Sequence, residues 1–207
     1  MMTKEKLIEL NLLYKEAKPS DIIKKAFEFS HEAVVTTNFR PYEVAILHAV
    51  NSVKSNVDVV WCDTGYNTPQ TYRHANEVIE KLQLIVSLYV PQQTAAYRDV
   101  LMGIPNVDNP KHALFTEQVK LEPFRRAMEI HKPKVWFTNL RKGQTAFRDS
   151  IGIFSVSKDG ILKVSPFYYW TDANLDAYII QNNLEKNVDY FDPVKALQNR
   201  ECGIHLQ

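Results

Sequence analysis

Short apolar runs rich in β-branched residues alternate along the chain with longer segments whose apolar positions recur at helical spacing. Each run has the length and composition of a strand. Nearly continuous hydrophobicity is also typical of strands buried on both faces of a parallel sheet. The predicted strands are EAVVTT (32–37), VDVVWC (57–62), LIVSLYV (84–90) and KVWFTN (134–139).

Helices are predicted between and after these strands. Pro69 follows Thr68, which favours a helix that has Thr68 as its N-cap, and Ser20 is predicted to cap the first helix. Pro123 must lie at a kink or at a new helix start. The predicted helices cover 19–31, 42–53, 68–82, 114–130 and 171–183, and the last of them is capped by Thr171 or Asp172. A hairpin is predicted over 151–167, with its turn at 158–160. Residues 192–207 are predicted to form a short helix and a tail.

This alternation predicts one domain over residues 1–207, in which 192–207 form a C-terminal tail. The expected fold class is α/β, with a mainly parallel, twisted sheet and helices on both faces, because strand–helix–strand units make right-handed crossovers. Ligands of such sheets bind beyond the carboxyl ends of the strands. The polar segments 36–40, 62–66 and 139–144 follow predicted strands and are therefore predicted to line a site.

Composition and charge favour a globular protein and argue against general nucleic-acid binding and a membrane span. The 207 residues are 45% hydrophobic and 24% charged, which is typical of a globular protein. The net charge of +1 argues against general nucleic-acid binding, and no run approaches the ~20 apolar residues of a membrane span. The N-terminal residues lack the apolar stretch of a signal peptide, and the two cysteines indicate no disulfide framework, so a cytoplasmic protein is expected.

Basic residues are concentrated between positions 111 and 148, where nine Lys and Arg accompany three Glu, a balance of 9 − 3 = +6. Such a block suits a compact anion, such as a phosphate or sulfate group. For any single lysine in it, a solvated helix face is the simpler interpretation. The six histidines show no metal-ligand spacing with one another or with cysteine, so no metal site is predicted.

Five segments, in order, resemble the PAPS/APS reductase family, whose members reduce phosphoadenylyl sulfate (PAPS) or adenylyl sulfate (APS). The resemblance runs from about residue 20 to the end. It implies a nucleotide-binding fold of the adenine-nucleotide alpha-hydrolase type, related to the ATP pyrophosphatases (PP-loop enzymes). The segments are Thr36-Thr37-Asn38-Phe39 against the family's SSSFG loop, 62–72 against LDTGY-x-x-P-E-T-Y, Lys120-x-Glu122-Pro123 against K-V-E-P, 136–148 against W-x-x-G-L-R-x-x-Q-x-x-x-R, and 201–205 against the E-C-G-L-H tail.

The resemblance implies that Cys202 is the nucleophile, with Glu201 and His205 beside it. A nucleophilic thiol must be exposed and must ionise easily. His205 would orient or protonate the departing group, although a tail histidine bound only to solvent is nearly as well supported. Cys62 closes an apolar strand and is predicted to be a buried small hydrophobe.

The implied substrate-binding residues come from the other four segments. Asp63 holds either a backbone turn or a ribose hydroxyl, and the turn is favoured. Arg141 and Arg148 lie seven residues apart and would share one face if the segment were helical. For Lys120 and Lys142, an anion contact and a solvated position are about equally supported. The set is Thr36, Thr37, Asn38, Phe39, Arg40, Asp63, Thr64, Gly65, Lys120, Arg141, Lys142, Gln144 and Arg148.

The implied reaction transfers the sulfo group of PAPS to the cysteine, and thioredoxin or glutaredoxin then releases sulfite. The iron–sulfur branch of the family carries extra cysteines, one pair of them ahead of the K-V-E-P element, where this chain has Phe115-Thr116-Glu117-Gln118. Two cysteines cannot supply the four thiolates that are usual for a cluster. The cluster-free branch usually prefers PAPS, and no bound cofactor is expected. A homodimer is a weaker expectation from the same resemblance.

Two departures from the family pattern bear on activity. Arg40 stands where the family has Gly, which permits φ > 0 and close approach to an anion. It would either supply its own charge or block the pocket. Family members also commonly have a longer segment with a G-Y-x-S-x-G-like stretch before the tail, where only 192–200 separate Phe191 from Glu201.

Three alternative functions remain. The first is an APS reductase, and the second is a sulfonucleotide-binding protein disabled by these two departures. The third is an ATP-dependent adenylating PP-loop enzyme, which is disfavoured because TTNFRPYE lacks the S-G-G-x-D-S loop that holds pyrophosphate.

Overall fold

The computed structural model describes residues 2–194 and 203–206. Within them, a six-stranded sheet has the order β3-β2-β1-β4-β6-β5. Neighbouring strands are parallel, except that β5 runs antiparallel to β6. The strands are β1 Ala33–Thr37, β2 Asp58–Cys62, β3 Val86–Tyr89, β4 Val135–Phe137, β5 Phe154–Val156 and β6 Leu162–Val164.

Helices cover both faces of this sheet, as predicted. Val35 in β1 packs into a cluster with α2, α3, α4 and α9, whereas its neighbour Val34 packs on the opposite face with α7. This alternation is the period of two that a strand imposes on its side chains. The helices are α1 Lys4–Leu13, α2 Pro19–Phe29, α3 Glu43–Val53, α4 Pro69–Leu82, α5 Ala95–Leu101, α6 His112–Thr116, α7 Glu122–His131, α8 Ala146–Asp149 and α9 Asp172–Gln181.

Two of the three helix N-caps predicted from the sequence are confirmed, and one was wrong. Thr68 caps α4, and Thr171 caps α9 in a capping box with Asn174. The prediction for Ser20 was wrong, because Lys18 is the N-cap of α2 and Ser20 lies inside the helix. Pro19 explains the shift: its fixed φ and missing N–H suit the first helical position, which places the cap one residue earlier.

Pro123 lies at the start of α7, which follows a π-helical turn over Glu117–Leu121. The predicted segment 114–130 is therefore divided into α6, the π turn and α7. Turns of this kind are frequent at functional sites, and here the turn carries Lys120.

Helices α1, α5 and α8 were not predicted. Helix α1 buries Leu10 but leaves Leu12 and Leu13 exposed, so its amphipathic pattern is weak. It is held by a tertiary contact instead: the Asn11 side chain donates to the Phe154 carbonyl oxygen at 2.8 Å and accepts from the Phe154 N–H at 3.0 Å. Asn11 thus occupies backbone groups of the edge strand β5.

At the C-terminus, residues 204–206 form a single 3₁₀ turn. Most of the short helix predicted for 192–207 lies outside the described residues. Across the parts of the chain that the structure describes, no helix combines the length and the apolar character needed to cross a lipid bilayer.

Candidate functional site

A cavity opens beyond the carboxyl ends of β1 and β2, the position expected for a ligand of a parallel sheet. It brings together the first polar loop, the π turn, α8 and the C-terminal turn. Its lining residues are Thr36, Thr37, Asn38, Arg40, Glu43, Val60, Cys62, Lys120, Phe124, Asn139, Arg148, Asp192, Ile204 and His205.

Side-chain hydrogen bonds hold the first polar loop, residues 36–40. The Thr37 hydroxyl accepts from the Phe39 N–H at 3.0 Å, and Asn38 donates to the Tyr190 hydroxyl at 2.6 Å. Phe39 has φ +52, so the left-handed residue of this loop is Phe39 and not Arg40. Its buried ring meets Trp61 edge-on at 4.8 Å. That packing offsets the strain of a left-handed aromatic residue.

Arg40 lies on the wall of the cavity with its guanidinium tied to fixed groups. Its Nε donates to Glu43 Oε1 at 2.7 Å, and its Nη2 donates to the Asn139 carbonyl oxygen at 3.4 Å. Glu43 is buried, so the pair forms a built part of the wall. Arg40 therefore contributes a fixed positive charge to the cavity lining.

Lys120 and Asp192 form a buried ion pair across the cavity. Lys120 Nζ lies 2.7 Å from Asp192 Oδ2, and the two side chains are 6% and 5% exposed. The carboxylate of Asp192 compensates the buried ammonium. The pair also joins the π turn to the first residue of the C-terminal tail.

Arg148 is the second buried cation of the cavity, with 3% of its surface exposed. Gln144 orients it, since Gln144 Oε1 accepts from Arg148 Nη1. The same oxygen accepts from the Arg141 N–H at 3.3 Å. Gln144 is therefore a support for Arg148 and lies outside the cavity lining.

Arg141 and Arg148 do not share a helical face, because α8 begins only at Ala146. Arg141 Nη1 pairs with Asp172 Oδ1 at 2.6 Å, and its guanidinium lies 5.2 Å from the Tyr42 ring centroid. Lys142 lies over Tyr169 at 6.0 Å. Both basic residues are outside the cavity lining.

The second polar loop, which follows β2, supports the site without lining the cavity with Asp63, Thr64 or Gly65. Asp63 Oδ1 accepts from the Gly65 N–H at 2.9 Å and from Asn67 Nδ2 at 2.8 Å, which is the turn role favoured from sequence. Tyr72 donates to the same carboxylate at 3.1 Å. Burial and the Asp63 charge raise the pKa of Tyr72 to about 12, so it remains a donor. Asp63, Thr64 and Gly65 lie outside the cavity lining.

The C-terminal turn enters the cavity. The His205 ring stacks on Trp136 with 5.5 Å between ring centroids and an interplanar angle of 18°. Burial, with the positive charges of Lys163, Arg148, Arg40 and Lys120, lowers the pKa of His205 well below its usual value. The ring is therefore neutral here. The predicted nucleophile Cys202 and the predicted catalytic residue Glu201 lie outside the described residues.

Cys62 lines the cavity as a neutral thiol. Burial raises its pKa to about 12, despite the opposing charges of Lys120 and Arg126. It packs against the apolar cluster of Val60 and Trp136, in line with the small-hydrophobe prediction. Within residues 2–194 and 203–206, no three His, Cys, Asp or Glu side chains are grouped so that they could hold a metal ion.

Sequence reasoning missed several lining residues and one neighbour of the site. Glu43, Asn139 and Asp192 are ordinary polar residues in sequence, and only the fold brings them to the cavity. Lys163 lies within the β6 strand, and its Nζ reaches the His205 carbonyl oxygen at 2.9 Å. A lysine between Leu162 and Val164 in an apolar run was the one available signal.

Comparison with known proteins identifies the family of the chain. The model of the phosphoadenosine phosphosulfate reductase domain matches residues 32–192. The chain belongs to this family. A phosphoadenosine 5′-phosphosulfate reductase of Vibrio cholerae is 31% identical over 156 residues, which are 72% of this chain and 59% of the relative. The chain spans less than two thirds of the length of the curated relatives it matches first.

Solved structures show the same fold. The phosphoadenylyl-sulfate reductase of Candida auris, a phosphate complex, superposes with a TM-score of 0.79 at 25% identity and covers 90% of each chain. An FMN adenylyltransferase of Candida glabrata superposes with a TM-score of 0.61 at 11% identity, over 86% of this chain and 58% of that one. The second likeness shows shared architecture alone. The predicted fold class, a mainly parallel α/β sheet with helices on both faces, is confirmed.

Proposed function

We propose that the protein reduces PAPS to sulfite and adenosine 3′,5′-bisphosphate through a Cys202 S-sulfonate. The observation that carries the proposal is the convergence of Arg40, Lys120 and Arg148 on one cavity that the C-terminal turn enters. Lys120 and Arg148 are buried and Arg40 is half-buried, and cations fixed in this way by side-chain partners suit a ligand with several anionic groups. A cysteine just before that turn suits attack on such a ligand.

The chemistry has two halves. The Cys202 thiolate attacks the sulfur of PAPS, a sulfur–sulfur bond forms, and the sulfur–oxygen bond breaks as the nucleotide bisphosphate leaves. A thiolate of reduced thioredoxin or glutaredoxin then attacks the cysteine sulfur and expels sulfite. The second thiol of the reductant resolves the mixed disulfide and restores Cys202. The two electrons come from the reductant, so no bound cofactor or iron–sulfur cluster is needed.

The proposed residue roles follow from position. Arg40, Lys120 and Arg148 bind the anionic groups, while Thr36, Thr37, Asn38 and Phe39 shape the loop around them. His205 orients the substrate rather than protonating it on entry, since burial and the neighbouring positive charges lower its pKa and keep it neutral. Glu201 is proposed as a partner of Cys202. Arg141, Lys142, Gln144, Asp63, Thr64 and Gly65 support these groups or contact the nucleotide outside the cavity.

The names of the relatives support PAPS rather than APS as the substrate. Among the described lining residues, none distinguishes the two nucleotides by itself. We place the reaction in the cytoplasm, where thioredoxin keeps thiols reduced. Residues 192–207 are treated as the catalytic tail of a single domain. We also propose a homodimer, the assembly that the resemblance implies.

The test is to incubate the reduced protein with PAPS and with APS in separate samples, without a reductant, and to record intact mass. We expect the mass of one sulfo group with PAPS, followed by sulfite release and loss of that mass when thioredoxin is added. An adduct with APS alone would make the protein an APS reductase. Nucleotide binding by calorimetry without any adduct would instead indicate a disabled binding protein.

Arg148→Met should weaken PAPS binding by about tenfold to a hundredfold, because a charge-assisted hydrogen bond to a buried anion contributes about 1.5–3 kcal/mol. Calorimetry with PAPS, with each variant made in a Cys202→Ser background that cannot form the adduct, gives the affinity without turnover. Arg125→Met is the matched control, since Arg125 pairs with Glu117 on the surface and lies outside the cavity. Equal affinities of the two variants would remove Arg148 from the substrate site, provided that both melt like the parent protein.

A further inference from the structure

Lys163 is a cation in an unusual place. It lies in the middle of β6 with 4% of its surface exposed, between the buried residues Leu162 and Val164. A buried ammonium is costly unless polar or charged groups compensate it. The parallel register of β4 against β6 pairs Lys163 with Trp136, so both side chains project from the same face of the sheet. Lys163 Nζ lies 4.9 Å from the centre of the indole ring.

Both residues hold the C-terminal turn. Lys163 Nζ donates to the His205 carbonyl oxygen at 2.9 Å, while the His205 ring stacks on Trp136 at 5.5 Å. Ile204 packs against the apolar cluster that contains Trp136. The carbonyl oxygen and the ring of His205 are therefore both bound to the surface formed by Trp136 and Lys163, which we call the tail platform.

Gly203 brings the chain onto this platform. It has φ +85, and a Cβ at this position would lie 3.2 Å from Leu121 Cδ2. Only glycine adopts this backbone conformation at low cost. Leu121 follows Lys120 in the π turn, so the approach path of the tail is shaped by the element that carries a substrate-binding cation. Cys202 directly precedes Gly203 in the sequence.

We infer that Trp136 and Lys163 are positioning residues that dock residues 203–205 in the cleft and thereby hold the Cys202 thiol within reach of the substrate sulfur. The inference rests on the proposed function. An undocked tail would sample many conformations, and holding a nucleophile in place converts that search into a local step. The platform touches the tail and not the reacting atoms, so its removal should lower the rate of sulfo transfer more than the affinity for PAPS.

The experiment compares Lys163→Met, which keeps the length of the side chain and removes its charge, with Lys158→Met. Lys158 is exposed on the turn between β5 and β6, outside the cavity. Hydrogen exchange of the tail peptide is measured without substrate, and single-turnover formation of the Cys202 adduct is measured at saturating PAPS. For Lys163→Met we expect tail exchange to be about tenfold faster and adduct formation about tenfold slower, with half-saturation by PAPS changed less than about threefold. Lys158→Met should match the parent protein in all three.

Three results would overturn the inference. The first is tail exchange that is unchanged in Lys163→Met. The second is a loss of PAPS affinity at an unchanged maximal rate, which would make Lys163 a substrate ligand. The third is faster adduct formation with tighter binding, which would make the docked tail an obstruction.

Gly203→Ala provides an independent variant should Lys163→Met fail to fold. Its matched control is Gly160→Ala, at a glycine with φ +82 and open space around the position of a Cβ. Both variants bear the cost of an alanine with positive φ, but only the first meets Leu121, so only the first should loosen the tail and slow the adduct. Equal behaviour of the two would count against docking. A parent protein that forms no adduct, while Lys163→Met still accelerates tail exchange, would refute the reductase proposal alone.

Discussion

Cys202→Ser is expected to abolish formation of the sulfo adduct with PAPS, whereas Cys62→Ala should retain most of it. The reason is ionisation: burial raises the pKa of Cys62 to about 12, so that at pH 8 only about one molecule in ten thousand carries a Cys62 thiolate. Intact mass after incubation with PAPS, without thioredoxin, measures both variants on the same scale.

Cys62→Ala also controls for any general effect of losing a thiol from the cavity. Alkylation at pH 8 gives a second readout that needs no substrate. We expect Cys202 to be labelled first in the parent protein, with Cys62 labelled only after unfolding. An adduct that survives in Cys202→Ser, or that disappears only in Cys62→Ala, would show that Cys202 is not the nucleophile.

Lys120→Met should lower the free energy of unfolding by roughly 3 kcal/mol, or roughly 6–12 °C in Tm for a chain of this size. The physical reason is that Asp192 stays buried after its ammonium partner at 2.7 Å has been removed. Thermal unfolding without substrate separates this effect from any role of Lys120 in binding PAPS.

Lys134→Met is the surface control, because its pair with Glu32 is 68% and 59% exposed and should contribute less than about 1 kcal/mol. The double variant Lys120→Met/Asp192→Leu should recover much of the lost stability, since it removes both charges. A loss in Lys120→Met no larger than in Lys134→Met would mean that the buried pair does not hold the π turn to the segment around Asp192.

Local sequence patterns determined much of the secondary structure. Runs such as 57–62 became buried strands because continuous hydrophobicity suits a parallel sheet between two helical layers. Thr68-Pro69 marked the start of α4 because cap and proline effects act within one turn. The local signal for the N-cap of α2 was misread at Ser20. The local pattern of α1 was too weak to predict a helix, because a contact with the edge strand β5, 143 residues away, stabilises it.

The motifs also located the candidate site, but they did not divide its residues by role. Arg141 and Arg148 stand in one motif, yet Arg148 lines the cavity and Arg141 pairs with Asp172. Arg40 was open to two interpretations from sequence, and its contact with the buried Glu43 makes it part of the cavity wall.

The sequence by itself determined the fold class, the carboxyl-end position of the site and the family, because hydrophobic periodicity and short motifs are local properties. Only the tertiary structure decided which charges meet. Lys120 with Asp192, and Lys163 with the His205 carbonyl oxygen, join residues 72 and 42 positions apart. Burial, which shifts the pKa values of Cys62 and His205, depends on every element packed around the cavity, so no local pattern in the chain could reveal it.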